Sequence, residues 1–394
     1  MKLNLEAHII QSFPVSNLNR DDSGSPKDCV FGGTRRGRIS SQCLKRSIRN
    51  SEAFTSRIEA AGGDVGKRSK MLKGKLVDKL VSSGITDVEK ASALAEAGIK
   101  ALGLAFDKKN TEKTEYLLYF GTREIDELGA IIAEPATQEA LMNADLGKND
   151  EEKGKSKKKA EGLDPEIKKS LTSIIGSERL KGKGYAADIA LFGRMMADDK
   201  DMNVNASCQV AHAISTHRVE TVFDYYTAVD DFNTDDAGAG MVGIQEYNSA
   251  CYYRYANVSL DGLCKNLGGD VEIAKAAALG FAEAMVKAVP TGKQNSTAAF
   301  TPPTYIRFIV RNSGSPQSLA GAFSAEVKPS PDGDHSIERL SVDALKKHYD
   351  KLASVYGKND VLADIEVDID DPQSSTFADA MGKLEATIAA NLQP

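Results

Sequence analysis

Strand-like sequence stands on both sides of a long helix-like block, and this interruption limits what the chain can fold into more than any other feature. Near the N-terminus Leu3, Leu5, Ala7 and Ile9 alternate with Asn4, Glu6 and His8, the period of two expected of a strand. On that pattern His8 belongs to the polar face. From residue 51 to 180 the composition turns to Ala, Glu, Lys and Leu, with helical stretches at 89–105 and 124–142. Short runs rich in Val, Ile and Tyr return at 207–216, 250–258 and 305–311. A helix over 273–289, with Ile273, Ala277, Phe281 and Met285 on one face and Pro290 ending it, separates the last two. Sheet segments flanking a helical insert make an α+β arrangement. Inside the insert, residues 148–159 hold six lysines and three acids with almost no apolar side chain, and read as a disordered loop.

A chain of 394 residues, 41% hydrophobic and 27% charged, has room for two to three structural units and a sizeable core. It contains no run of about 18 apolar residues, and its opening MKLNLEAHII is too short and polar for a signal peptide, so a cytoplasmic protein without membrane contact is expected. The five cysteines (Cys29, Cys43, Cys208, Cys251, Cys264) show no CxxC spacing and read as reduced core thiols. His212 and His217 are five apart, which misses the i, i+4 geometry of two ligands on one helical face. No metal or other cofactor is expected.

Net charge is -6, which argues against nucleic acid until the distribution is examined. Residues 35–49, RRGRISSQCLKRSIR, carry six cations (Arg35, Arg36, Arg38, Lys45, Arg46, Arg49) and no acid, whereas 220–246 carry seven acids and no base. The basic run reads as a strand, a serine cap at Ser40 or Ser41, and a helix with Leu44 and Ile48 on one face and Lys45 and Arg49 on another. Free N–H groups at a helix start, serine hydroxyls and clustered cations suit a phosphate, although a solvated cationic face would look alike. Gly292-Lys293 and Gly66-Lys67 fail the phosphate-loop pattern, and no RNP-type aromatic motif appears. Residues 219–257 read as a long hairpin turning near Gly238 and Gly240, whose tyrosines either stack on bases or pack on the sheet. Asp21, Asp22 and Asp28 lie in the polar loop before the basic run, as turn formers or as metal ligands for phosphodiester cleavage.

Six blocks now stand out in order: SNLNRDD (16–22), PKDCVFGGTRRGRISSQCLKRSIR (26–49), DIALFGRM (188–195), AHAISTH (211–217), DYYTAVDD (224–231) and YRYANV (253–258). They resemble the backbone subunits of type I-E CRISPR Cascade, the CasC or Cas-seven group of the RAMP superfamily. The resemblance implies a modified RRM-like (ferredoxin-like) palm at 1–55, 181–218 and 252–394, the last with a C-terminal region. It implies a helical fingers domain inserted at 56–180, with the disordered loop near 147–162, and a protruding thumb β-hairpin at 219–251. By the same resemblance the RNA contacts are Arg20, Lys27, Ser40, Gln42, Lys45, Arg46, Arg49, Lys293 and Gln294. Met195, a core residue on composition alone, becomes a wedge against kinked RNA, and Tyr225 and Tyr226 stand where the best-known members carry Trp-Phe.

The expected partners are CRISPR RNA, target DNA through guide pairing, further copies of the chain, the other Cascade subunits and a nuclease recruited through the complex. The expected role is a non-catalytic filament subunit for antiviral defence. The alternative is a metal-dependent target-RNA endonuclease using Asp22 or Asp28, and a protein-only module is a third reading. The acidic stretch would pair with the basic surface of a neighbouring copy, and charge reversal at Asp230 and Asp231 would then shorten assemblies at low salt.

Overall fold

The structure, a computed structural model, describes residues 2–144, 163–196, 200–229, 232, 239–313 and 315–393. The loop at 148–159, Asp230, Asp231 and Gly238 lie outside the described residues. The chain runs through β1 (Asn4–Ser16), β2 (Asp28–Phe31), β3 (Thr34–Ile39), α1 (Ser41–Arg49) and α2 (Glu52–Ala60). It continues with β4 (Gly66–Ser69), α3 (Leu72–Ser82), α4 (Val88–Ala101), β5 (Leu118–Gly121), α5 (Thr122–Ala133), α6 (Pro135–Asn143), α7 (Pro165–Ser173) and α8 (Ala187–Phe192). Sheet structure returns as β6 (Cys208–Val210), β7 (Ala213–Ser215), β8 (Val222–Val229) and β9 (Ala239–Ser259). After α9 (Leu260–Asn266), α10 (Val271–Lys287) and α11 (Gln294–Thr297) come β10 (Tyr305–Arg311), α12 (Ile337–Tyr356), β11 (Val361–Asp368) and α13 (Phe377–Asn391).

Two units divide these elements. A sheet unit comprises residues 1–57, 208–261 and 278–393, and a helical unit comprises 58–207 and 262–277. Residues 181–207, expected with the palm, fall in the helical unit.

The sheet is antiparallel, in the order β11-β10-β1-β9-β7-β3-β2, with β6 and β8 also paired to β9. At its centre β1 pairs with β10 from Asn4↔Arg311 to Ile10↔Tyr305, and with β9 from Asn4↔Ser259 to Phe13↔Ala250. The expected run at 207–216 is two strands, β6 and β7, and β9 extends well beyond 250–258.

His8 is fully buried, not on a polar face. The alternation does mark a strand, but α12 packs on the face that Glu6 and His8 share, so the polar side chains must satisfy each other. His8 Nε2 lies 3.4 Å from the Glu6 carboxylate, and Nδ1 2.9 Å from the Tyr253 hydroxyl. Arg311 pairs with Glu6 at 3.2 Å and with Asp360 at 3.1 Å. Burial holds the His8 ring below its ordinary range against the opposing pull of Glu6, so the ring is neutral near pH 7. Beside this network Ile10, Tyr253, Tyr305, Ile309, Phe323, Leu345 and Tyr349 form the apolar core.

In the helical unit, Leu76, Leu80, Leu94, Ile99, Phe120, Leu128 and Ile132 are central to the core. The expected helix at 124–142 is two helices, α5 and α6. Pro135 supplies no N–H and drives Glu134 to extended backbone (φ -64°, ψ 132°). The unit also holds a two-stranded sheet, β4 with β5. Cys208, Cys251 and Cys264 are buried as expected, but Cys29 and Cys43 are only half-buried; all five are thiols outside any disulfide. Among the described residues no helix is long and apolar enough to cross a membrane.

Replacing Arg311 with Met leaves Glu6 buried beside His8 without its cation. The expected loss is about 3–5 kcal/mol of stability, read by chemical denaturation, since breaking one side of a buried pair strands the other charge.

Candidate nucleic-acid interface

The basic run folds as strand, cap and helix because each instruction is local. The Ser40 hydroxyl accepts from the Cys43 N–H at 3.3 Å, and Leu44 and Ile48, four residues apart, are buried together. No acid occupies the first turn of α1, and Arg46 and Arg49 in its last turn complement the helix dipole. Gln42 and Arg46 are exposed, while Lys45 and Arg49 are half-buried. Lys45 acts electrostatically on Cys208, whose thiol burial pushes up to about 12.

Not every cation of the run is available to a ligand. Arg36 is fully buried and donates to the carbonyls of Ser215 (2.9 Å) and Phe323 (3.0 Å), which makes it a structural brace. Arg35 is ion-paired with Asp28. Arg38 donates from Nε to the Asp28 carbonyl at 3.0 Å and from Nη1 to His212 Nδ1 at 3.1 Å.

Arg20 and Arg46, 26 residues apart, line one groove of about 810 Å3. Its walls are residues 18–24, the Cys43, Ser47 and Asn50 side of α1, and Thr291 with Gly292. Asn19 joins two of these walls: its side-chain carbonyl accepts from the Ser40 N–H at 2.8 Å, and its backbone carbonyl accepts from the Lys27 N–H at 2.9 Å. The third wall is held by close approach. A Cβ on Gly292 would lie 2.4 Å from the Leu18 carbonyl oxygen, so only glycine fits there. Lys293 follows in left-handed backbone (φ 54°), half-buried. The Gln294 amide is engaged by its own loop, donating to Pro290 (3.1 Å) and accepting from the Ala299 N–H (2.8 Å).

Two of the loop acids have structural partners, Asp28 through its ion pair with Arg35 and Asp21 within its own loop. The Asp21 carboxylate accepts from the Ser23 hydroxyl at 2.7 Å and from the Ser23 and Ser25 N–H groups, which holds it below the usual carboxylate range, the Ser23 hydroxyl first. Asp22 is exposed on the groove. Among the described residues no three His, Cys, Asp or Glu side chains gather as a metal set.

The tyrosines of 219–257 separate into two groups. Tyr252, Tyr253 and Tyr255 are buried in the central sheet, because β9 runs on from the hairpin to pair with β1. Tyr225 (64%) and Tyr226 (44%) are exposed on β8, opposite Ile244 and Gly243, and the Tyr226 ring lies across the Gly243 backbone.

Met195, in the helical unit, is 87% exposed. Gly193 turns the chain at φ 79°, and Arg194 plunges inward, bonding the Glu124 carboxylate (2.8 Å) and the Ile175 carbonyl (2.6 Å). Met196 is buried, with its N–H on Asn203. Met195 stays at the surface between these two anchored neighbours. Burial raises Glu124 above the ordinary range, opposed by Arg194, the Gly121 N–H and Arg179.

Sequence reasoning counted Arg38 in the basic run but missed Asn19 and His212 as parts of this region. Asn19 sits inside SNLNRDD, but its bond to Ser40 spans 21 residues and leaves no local signal.

An antiparallel sheet, a capped cationic helix and an exposed β8–β9 hairpin define a mixed α/β protein. The chain belongs to the family of CT1975-like proteins, whose model matches residues 5–391. Among solved structures it is similar to a chain of a CRISPR RNA-guided surveillance complex, pre-nicking, at 30% identity, covering 99% of this chain and 100% of that chain with a TM-score of 0.78. A second similar chain, from a CRISPR RNA-guided surveillance complex, shows 25% identity, coverage of 97% and 99%, and a TM-score of 0.67. No curated protein matches the chain.

Asn19→Ala is expected to cost about 1–3 kcal/mol in a denaturation experiment, because the Ser40 N–H at the root of α1 loses its acceptor.

Proposed function

We propose that the chain is a non-catalytic, RNA-binding backbone subunit of a CRISPR RNA-guided surveillance complex of the type I-E kind. The observation that carries this reading is the acid-free helix α1, which presents Gln42, Lys45, Arg46 and Arg49 beside a groove shared with Arg20. Free N–H groups at a capped helix start and convergent cations bind phosphodiesters without regard to base. In this reading the sheet unit is the RRM-like palm, the helical unit the fingers, and β8 with the first half of β9 the thumb. Lys27, Lys293 and the Ser40 N-cap continue the phosphate contacts, and Gln294 holds the turn that carries Lys293.

Several copies stack along one guide RNA in this proposal. Tyr225 and Tyr226, exposed on the thumb, provide aromatic surface for a displaced base, and Met195 an apolar wedge. The guide remains free to pair with target DNA, so sequence is read by the RNA. The other subunits and a recruited nuclease act through the complex, in the cytoplasm. Support comes from the two similar chains, which belong to RNA-guided surveillance complexes.

Co-expression with a CRISPR array and the other subunits tests this reading. A large assembly holding RNA of one discrete length is expected. Monomeric protein without RNA would overturn it, and metal-dependent cleavage of complementary RNA, lost in Asp22→Ala, would replace it with the nuclease reading.

Neutralising Lys45 and Arg46 together should weaken binding equally for every RNA sequence and flatten the salt dependence by about 1.4 log units per log unit of salt, roughly 0.7 for each single-strand contact. Tyr225→Ala with Tyr226→Ala should reduce affinity by on the order of 1–3 kcal/mol for each base that loses its stack, measured on assembled complexes.

A further inference from the structure

Beyond α1 and its groove, a second cationic site lies where β2, β3 and the start of β7 meet. The backbones of Lys27 and Arg38 are joined by the Arg38 N–H donating to the Lys27 carbonyl at 2.9 Å. Arg38 pairs with Ile214 on β7, two residues beyond His212, and its guanidinium reaches the His212 ring at 3.1 Å. Arginine only donates, so Nδ1 of His212 must accept, and the neutral ring carries its proton on Nε2. Among the described residues no carboxylate closes this cluster. Asp28, at the start of β2, is ion-paired with Arg35 and gives Arg38 only its backbone carbonyl, and the charged groups acting on the ring are Arg38 and Lys27. Cys29, beside Arg38, is a thiol that burial keeps protonated.

Two cations and an exposed imidazole without an anion are an incomplete arrangement. We propose that Lys27, Arg38 and His212 form a phosphate seat for the RNA backbone, in which His212 takes up a proton from solvent as the phosphodiester binds. The proposal rests on the RNA-binding reading above. Protonation and the present Arg38–His212 hydrogen bond exclude each other, because Nδ1 cannot accept once it carries a hydrogen. A phosphate oxygen resolves the conflict by accepting from both groups, and its charge offsets the repulsion between them. In the free protein His212 is held below its ordinary range, by partial burial first and then by Arg38 and Lys27, so it is neutral near pH 7.

The sign of the pH dependence follows. Binding raises the His212 pKa, so the extra affinity is fully present below the pKa of the free ring and is lost as pH rises through that of the bound ring. A one-unit rise corresponds to about tenfold tighter binding at the acidic end.

The test is fluorescence anisotropy of a labelled polyuridine oligoribonucleotide with the full chain, between about pH 8 and about pH 6, using wild type, His212→Gln, His212→Arg and the Lys45→Gln/Arg46→Gln double variant. Wild type is expected to tighten several-fold towards acid, His212→Gln to be flat at the weak level, and His212→Arg to be flat at the tight level. If His212→Gln keeps the wild-type profile while the Lys45/Arg46 variant loses affinity, the phosphate seat is wrong and the RNA-binding reading stands. If wild type binds no RNA at any pH, both fall.

Discussion

The double pairing of β1 is the constraint on which the rest of the sheet unit depends. Its two edges bond to segments that lie 232–255 and 295–307 residues away in sequence, β9 and β10. A strand in that position is enclosed on both faces, so Glu6 and His8 can stay there only as members of a closed network with Tyr253 and Arg311. The end of β1 also fixes where Asn17, Leu18 and Asn19 emerge, and these residues hold Gly292 and the N–H of Ser40. The cationic helix is therefore placed by the centre of the sheet. Closing long loops adds little extra entropy cost as they lengthen, which lets a large helical insert sit between paired strands.

Charge is divided between bracing and display. Arg36, Arg194, Arg307 and Arg311 are all buried against carbonyls or carboxylates. Arg254 is buried too, bonded to Gln11, and burial pushes its guanidinium down to about 10. A count of cations along the sequence thus overstates what faces a ligand. Residues 20–49 keep seven Lys and Arg side chains that are not buried (Arg20, Lys27, Arg35, Arg38, Lys45, Arg46 and Arg49) against three acids, so a local excess of positive charge coexists with a net charge of -6, and recognition depends on local field and not on the sum.

Legibility followed the range of the interactions. The Ser40 cap and the Leu44/Ile48 stripe act over three or four residues and could be read directly, as could the helix now seen as Val271–Lys287. The C-terminal α12 and α13 carried similar signals, Ser336 accepting from the Arg339 N–H and Thr376 from the Asp379 N–H, although the periodic reading did not extend to them. The tyrosines could not be sorted by pattern. Tyr225 and Tyr253 both sit in alternating, aromatic-rich strands, and only the pairing of β9 with β1 buries one while the other remains exposed.

By itself the sequence determined the α+β composition, the cap and polarity of α1, the segregation of basic from acidic segments, and the ordered blocks that point to a CRISPR family. Each depends on neighbours within a turn of helix, a strand period or a contiguous motif. The tertiary structure alone decided that His8 and Arg36 are internal, that Met195 is external, that Arg20 meets Arg46 across one groove, and that His212 faces Arg38. Those outcomes require segments distant in sequence to share a surface, and nothing in local periodicity encodes which surface that will be.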